Sequence, residues 1–442
     1  MGAKRKTKRA GPHEPGRVAR VSIEGFKSIA RQQIDLGRLN VLIGPNGVGK
    51  SAILEAIGLL GAAAEGRVDA GELWRRGVRP SAPALFTTAL GRKVASEIKL
   101  SATSQDGAAF AVTLAPPDGN DWPTLWRFAQ EVVTIGGKTV YRRVPRTSPA
   151  PRSKPSSGST AQFPRGGTGR STVTPGPGNR SPQRGVLDDR LGRAARILTT
   201  EKDATRELFF TLADSAIYEP RAPALRGVEP DPAQREPLGL HGGGLPAALR
   251  TLWTEQGSLG PLAREEILAL IPWAEDIEVG RPDLTIASPV VPMTSEIVRF
   301  VDRRMPPGRN VVTAYDASEG ALYVLFALVL LFHPHTPRLL CVEGLDHALH
   351  PRLARALIRT MGAHVAAMRK QVVLATHNPL VLDGLDLAND DIRLFAVDRA
   401  ESGETVIHRI LYTEALAKAE QSGETLSRMW VQGLLGAVPD VW

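Results

Sequence analysis

Gly44-Pro45-Asn46-Gly47-Val48-Gly49-Lys50-Ser51 is the stretch on which the reading of this chain turns. Two glycines separated by four residues and followed by Lys and Ser make a phosphate-cradling pattern. The flanks suit it. Leu39-Asn40-Val41-Leu42-Ile43 is apolar and partly β-branched, as a buried strand is, and Ala52-Ile53-Leu54-Glu55-Ala56-Ile57 has helical spacing and good helix formers. A strand feeding a glycine loop that opens a helix aims several backbone N–H groups into one concavity, at the positive end of the helix dipole. Lys50 can then reach β- and γ-phosphates, and the Ser51 hydroxyl can ligate Mg²⁺. The plain alternative is a glycine-rich turn before an ordinary helix, and the flanking strand and helix favour the phosphate loop.

At 442 residues the chain can bury a large core and hold two or three domains. With 42% hydrophobic and 23% charged residues it is ordinary for a soluble globular protein, which excludes wholesale disorder. Its single cysteine, Cys341, allows no disulfide framework and fits a reducing compartment. The basic N-terminus lacks the apolar stretch of a signal peptide, and the longest apolar run, Ala321 to Phe332, is short for a bilayer and expected as a buried helix. A cytoplasmic protein with no membrane segment is the expectation.

The net charge of +9 is unevenly spread. Residues 1–20 carry +6 and residues 142–184 carry +9, which leaves about −6 for everything else. The basicity therefore sits in two segments whose composition is that of unfolded chain. Such arms can bind DNA or RNA by counterion release, or simply be solvated tails.

The organisation expected is a disordered basic tail over 1–16, a first α/β part over 17–142, a disordered Pro/Ser/Gly-rich insertion over 143–186, a helical middle segment over 187–300 and a second α/β part over 301–442. Strands are expected at 18–25, 33–36, 39–43, 96–100 and 109–114, and a hairpin around Gly136-Gly137. Helices are expected over 187–213 and 245–273, then a strand near 276–279. The last third alternates helix 318–332, strand 338–343, helix 351–369, strand 371–375, helix 379–385 and strand 392–397, the rhythm of a parallel sheet.

Four further segments gain meaning from their order: Ile23 to Ile29; Ala317-Ser318-Glu319-Gly320; Leu339 to Pro351, which contains Glu343-Gly344 and Leu349-His350-Pro351; and Val373 to Pro379, a strand ending at His377. On these the chain resembles the ABC-type ATPases of the SMC/RecF/overcoming-lysogenisation-defect group, in particular small bacterial members without a long coiled coil. Gly25-Phe26-Lys27-Ser28 resembles their N-terminal strand, Ser318-Glu319-Gly320 their abbreviated signature, and Thr376-His377-Asn378-Pro379 their switch histidine. Tyr218-Glu219-Pro220-Arg221 and His241-Gly242-Gly243-Gly244-Leu245 resemble a further pair of segments. The resemblance implies an α/β P-loop NTPase fold of ABC/SMC-head type, with a mixed-sheet lobe, a parallel-sheet lobe and a helical subdomain. It implies ATP and Mg²⁺ as cofactors. It implies a homodimer or higher oligomer in which Ser318 and Gly320 of one subunit face the γ-phosphate bound by Gly44 to Ser51 of the other, while His377 contacts the same phosphate.

The carboxylate segment departs from that family. Its strand ends there in two consecutive acids, the first serving the metal and the second polarising the attacking water. Counting back from Leu349-His350-Pro351 puts the first on Glu343 and the second on Gly344, which has no side chain. The other register, with Glu343 as the catalytic acid, puts Val342 at the metal and breaks the spacing. Asp346 or His347 could substitute, though both lie beyond the usual position. Hydrolysis is therefore expected to be slow or partner-dependent.

The chain shows no nuclease motif, so any cutting would fall to a separately encoded effector. Two functions compete: a slowly hydrolysing ATPase in DNA maintenance or anti-phage defence, and an ATP-assembled scaffold that recruits an effector such as a nuclease. A transporter motor fits poorly. Arg352, Arg355 and Arg359 form a basic stripe that suits either a phosphate backbone or solvent.

Overall fold

The computed structural model describes residues 14–91, 93–117, 125–143, 203–254, 259–282 and 290–438. Nearly all of the basic tail, the Pro/Ser/Gly-rich insertion and the first part of the helix expected over 187–213 lie outside the described residues.

The chain folds around two large sheets. The first is antiparallel throughout and contains β1 (Val18–Phe26), β2 (Ile29–Asp35), β6 (Ile98–Ser104), β7 (Ala108–Ala115), β8 (Arg127–Ile135) and β9 (Lys138–Arg143), in the order β2-β1-β6-β7-β8-β9. A two-stranded ribbon, β4 (Ala89–Leu90) with β5 (Lys93–Val94), lies beside it in sequence. Period-2 burial in β6 and β7 marks one face turned to the core.

The second sheet has the order β10-β14-β15-β3-β16-β17, built from β3 (Leu39–Ile43), β10 (Ala216–Tyr218), β14 (Leu339–Glu343), β15 (Gln371–Thr376), β16 (Ile392–Arg399) and β17 (Thr405–Ile410). All its pairings are parallel except β16 with β17. Both faces are covered, which explains the continuous apolar runs of its strands. Leu42, Cys341, Val373, Ala375 and Phe395 pack with helix Lys50–Glu65, while Val41, Val342, Val372 and Leu374 pack with helices Glu319–Phe332 and Pro351–His364. Residues Ala321 to Phe332 are buried along their whole length, as expected of that apolar run.

The middle segment is less helical than expected. It contains helices Asp203–Ala213, Ala222–Leu225, Leu245–Thr254 and Leu259–Leu270, then β11 (Ala274–Gly280), the strand expected near 276–279, and β12 (Ile297–Asp302), which pairs antiparallel with β11 and with β13 (Val311–Thr313) just beyond the segment. The stretch expected as one helix over 245–273 holds helices Leu245–Thr254 and Leu259–Leu270, and residues 255–258 lie outside the described set. The segment at 379–385 is a 3₁₀ helix, Pro379–Gly384, with Pro379 at its start and the Asn378 side chain accepting from Leu380 N–H at 3.0 Å. Two short helices, Glu414–Gln421 and Leu426–Val431, end the described chain.

Candidate functional site

Parallel pairing brings the carboxyl ends of three strands to one edge. Glu343 at the end of β14 is level with Ala375 of β15, and Thr376 of β15 with Ile43 of β3. Ligands of open α/β sheets bind outside such an edge. A cavity of about 560 Å³ opens there, lined by Asn46, Gly47, Gly49, Lys50, Ser51, Glu343, Gly344, His347 and His377. That volume falls within the range of small-molecule sites, roughly 300–1,000 Å³.

The phosphate-loop glycines sit between β3 and helix Lys50–Glu65. Gly44 lies so close to β16 that a Cβ there would stand 2.1 Å from the Val397 carbonyl oxygen. Val48 is buried in the core and anchors the loop from below. Its carbonyl accepts from Thr405 Oγ1 at 2.7 Å, and Thr405 Oγ1 is also 2.7 Å from Ser28 Oγ. Lys50 Nζ donates to the Gly44 and Pro45 carbonyls, each at 2.7 Å. Burial pushes its ammonium below the usual lysine range, against the pull of Glu343 and Asp346. An anion in the cavity would favour the charged form.

Ser51 Oγ donates to Glu343 Oε1, so the two groups expected at Mg²⁺ converge across 292 residues of sequence. Both are hard oxygen donors. Among the described residues no group of three or more His, Cys, Asp or Glu side chains could hold a metal. A two-oxygen site fits Mg²⁺, which takes most of its shell from waters and substrate phosphates.

Several lining groups were not singled out as site residues from sequence. Glu55, 2% exposed and one turn beyond Ser51, is paired with Lys27 and accepts from Arg79 Nε at 2.7 Å. Lys27 and Arg79 thus reach the cavity on one buried anion, and the bond to Glu55 holds the Arg79 guanidinium above its ordinary range. Lys27 was visible inside the quoted Gly25 to Ser28 motif; nothing local marks Arg79. Glu219 also lines the cavity. The two middle segments do meet: Glu219 N–H donates to Leu240 at 2.9 Å, Arg221 N–H donates to His241 at 3.1 Å, and His241 Nδ1 is 2.8 Å from the Glu219 carbonyl.

The loop after β14 carries the rest. Asp346 is buried, and its Oδ2 accepts from Thr376 Oγ1 at 2.8 Å; Thr376 Oγ1 in turn accepts from Asn378 N–H at 2.9 Å. That chain fixes the turn bearing His377. The rings of His347 and His377 are 5.4 Å apart. Gly344 is left-handed, at φ +69°.

Ser318 and Gly320 are elsewhere. Ser318 occupies the N-cap position of helix Glu319–Phe332, but its side chain makes no capping bond, contrary to the expectation from residue type. It is exposed, Gly320 packs near the Ala348 carbonyl, and neither lines the cavity. Arg352, Arg355 and Arg359 are exposed on helix Pro351–His364, opposite buried Ala354, Leu357, Ile358 and Met361.

Two family profiles match the sequence. One, described as "AAA domain, putative AbiEii toxin, Type IV TA system", covers residues 257–383; the other, "AAA domain", covers residues 20–129. No curated protein matches it. Among solved structures, the SMC head bound to the C-winged helix domain of ScpA is similar over 91% of this chain and 99% of its own, at 12% identity and a TM-score of 0.51. The SMC head domain from Thermotoga maritima aligns over 90% of this chain and 100% of its own, at 14% identity and a TM-score of 0.42. An Smc head with an extended coiled coil, bound to the C-terminal domain of ScpA derived from Pyrococcus furiosus, aligns over 92% and 100%, at 10% identity and a TM-score of 0.45. At these identities the likeness is one of fold. Among the described residues no helix is long and apolar enough to cross a membrane. The profiles find AAA-domain sequence in two parts of the chain, and its fold is that of an SMC-type head, a P-loop NTPase architecture.

Proposed function

We propose that this chain binds Mg²⁺-ATP in the cavity at the end of β3 and that ATP joins two copies of it into a cytoplasmic homodimer or higher oligomer. The observation that carries the reading is the convergence of Lys50, Ser51 and Glu343 at one sheet edge. Lys50 takes the β/γ-phosphates, Lys27 and Arg79 add positive charge, and His377 meets the γ-phosphate. Ser51 and Glu343 would hold Mg²⁺, which neutralises phosphate charge in such sites. Exposed Ser318 and half-buried Gly320, at a helix N-terminus and outside the cavity lining, suit a role toward the partner's nucleotide. Hydrolysis is slow or partner-dependent because Gly344 offers no carboxylate.

The biological setting proposed is DNA maintenance or anti-phage defence, with DNA contacts through the basic segments and a separately encoded effector such as a nuclease. One solved SMC head of this fold is bound to a ScpA domain, which supports a protein partner as part of the reading. A second reading, an ATP-assembled scaffold that does not hydrolyse, is favoured by Gly344 alone. Mass in solution with and without Mg²⁺-ATP, measured beside phosphate release, separates the two. ATP-dependent assembly with measurable release supports the ATPase; assembly without release supports the scaffold; no ATP-dependent change in mass sinks both.

A further inference from the structure

We propose that His347 is the group that accepts the proton of the attacking water. The inference rests on the reading of the cavity as an ATP site and names its missing base.

An attacking water needs an acceptor for its proton in the cavity that holds the phosphates. Most acidic groups nearby are already engaged. Glu343 accepts from Ser51. Glu55 is buried against Lys27 and Arg79. Asp346 accepts from Thr376 through Oδ2, its Oδ1 is buried without a hydrogen-bond partner, and the residue does not line the cavity. Glu219 is paired with Arg221 at 3.1 Å. Gly344, next to Glu343, has no side chain, and a Cβ added there would stand 2.9 Å from His347 Cε1, 3.1 Å from Nδ1 and 3.5 Å from Nε2. The imidazole of His347 therefore fills the space into which a side chain at position 344 would project. Its backbone N–H donates to the Gly344 carbonyl at 3.4 Å, so ring and glycine form one turn beside Glu343. The absent side chain and the ring that replaces it are a single arrangement, with Gly344 making the room.

In the step, a water O–H bond breaks and its proton passes to an unprotonated ring nitrogen of His347. The water oxygen bonds to the γ-phosphorus. The bond from that phosphorus to the bridging oxygen breaks, and its electron pair leaves on ADP. ATP and water give ADP and phosphate. His377, whose ring neighbours His347, keeps its contact to the γ-phosphate.

The test uses the full chain with Mg²⁺-ATP, measuring nucleotide affinity by calorimetric titration and phosphate release at steady state. His347→Ala should lower kcat by about 100-fold or more, the scale of a lost general base, with KM and ATP affinity held within about threefold. His347→Gln, which keeps a polar side chain but takes no proton, should lose as much. Free imidazole should restore part of the rate in His347→Ala and none in Lys50→Ala. The inference is overturned if either His347 variant binds ATP and hydrolyses within about threefold of wild type, or if wild type binds ATP and releases no phosphate. If wild type binds no ATP, the site reading itself fails, and the titration distinguishes that case.

Discussion

Replacing Gly44 by alanine adds one methyl group, and the structure says what it meets. The new Cβ would stand 2.1 Å from the Val397 carbonyl oxygen and 3.3 Å from Val48 Cγ2. The first contact is backbone of the neighbouring strand and cannot rotate away. Reaching a tolerable separation of about 3.2 Å means opening β3 from β16 by about 1 Å where Ile43 pairs with Ala396, which overpacks a tight site at about 1–3 kcal/mol. Losing a ladder hydrogen bond there adds about 1 kcal/mol, so the total is about 2–4 kcal/mol. The loop would also shift relative to Lys50, whose ammonium is held by the Gly44 carbonyl. Gly47→Ala is the control. It has φ +80° but open space around it, so only left-handed backbone strain of about 1–2 kcal/mol applies. Urea unfolding and ATP titration on both variants give the readout. Gly44→Ala should be the less stable, by about 1.5 kcal/mol at the midpoints of these ranges, and should lose ATP binding. Equal stability, or ATP affinity in Gly44→Ala within about threefold of wild type, would refute the close-approach argument.

Further predictions concern other supports of the site. Thr405→Val removes the hydroxyl that joins Ser28 to the Val48 carbonyl and should cost about 1–2 kcal/mol with weaker ATP binding, read by the same two assays. Glu55→Ala removes the buried carboxylate that Lys27 and the largely exposed Arg79 share and should destabilise by about 1–3 kcal/mol, visible as a lowered unfolding midpoint. Ser318→Arg should abolish ATP-dependent assembly while leaving nucleotide affinity within about threefold, checked by light scattering beside titration. Lys370 is buried against Thr336, and burial lowers its pKa from 10.5 to about 8. The folded chain then loses this proton near pH 8 while the unfolded chain keeps it to about 10.5, so this group makes stability rise with pH across that window. The rise amounts to at most about 3 kcal/mol. Denaturant midpoints at pH 7 and pH 10 should show it in wild type and lose it in Lys370→Met.

Much of this architecture was legible because its signals are local. Strands buried on both faces, such as Leu39–Ile43 and Leu339–Glu343, declare themselves as apolar runs, and the phosphate loop carries its own chemistry in eight residues. The site was half legible. Ser51 and Glu343 could be named from their motifs, and the cavity unites them. Arg79 and Thr405 could not, because their roles come from long-range pairing: Thr405 braces Val48 from 357 residues away. The three-residue strand β10 is too short to show a period; β11 answers the strand expected near 276–279, while β12 and β13 take their form from pairing beside it. His347 was weighed from sequence and set aside on spacing. Only the left-handed turn at Gly344 brings its ring to the place a side chain there would fill.

The most direct test of the central claim is equilibrium binding of Mg²⁺-ATP to the full chain and to Lys50→Ala. The account predicts saturable binding by wild type that Mg²⁺ strengthens, and at least a tenfold loss of affinity, about 1.4 kcal/mol, in the variant. Equal affinity in the two proteins, or no binding by wild type, would contradict it.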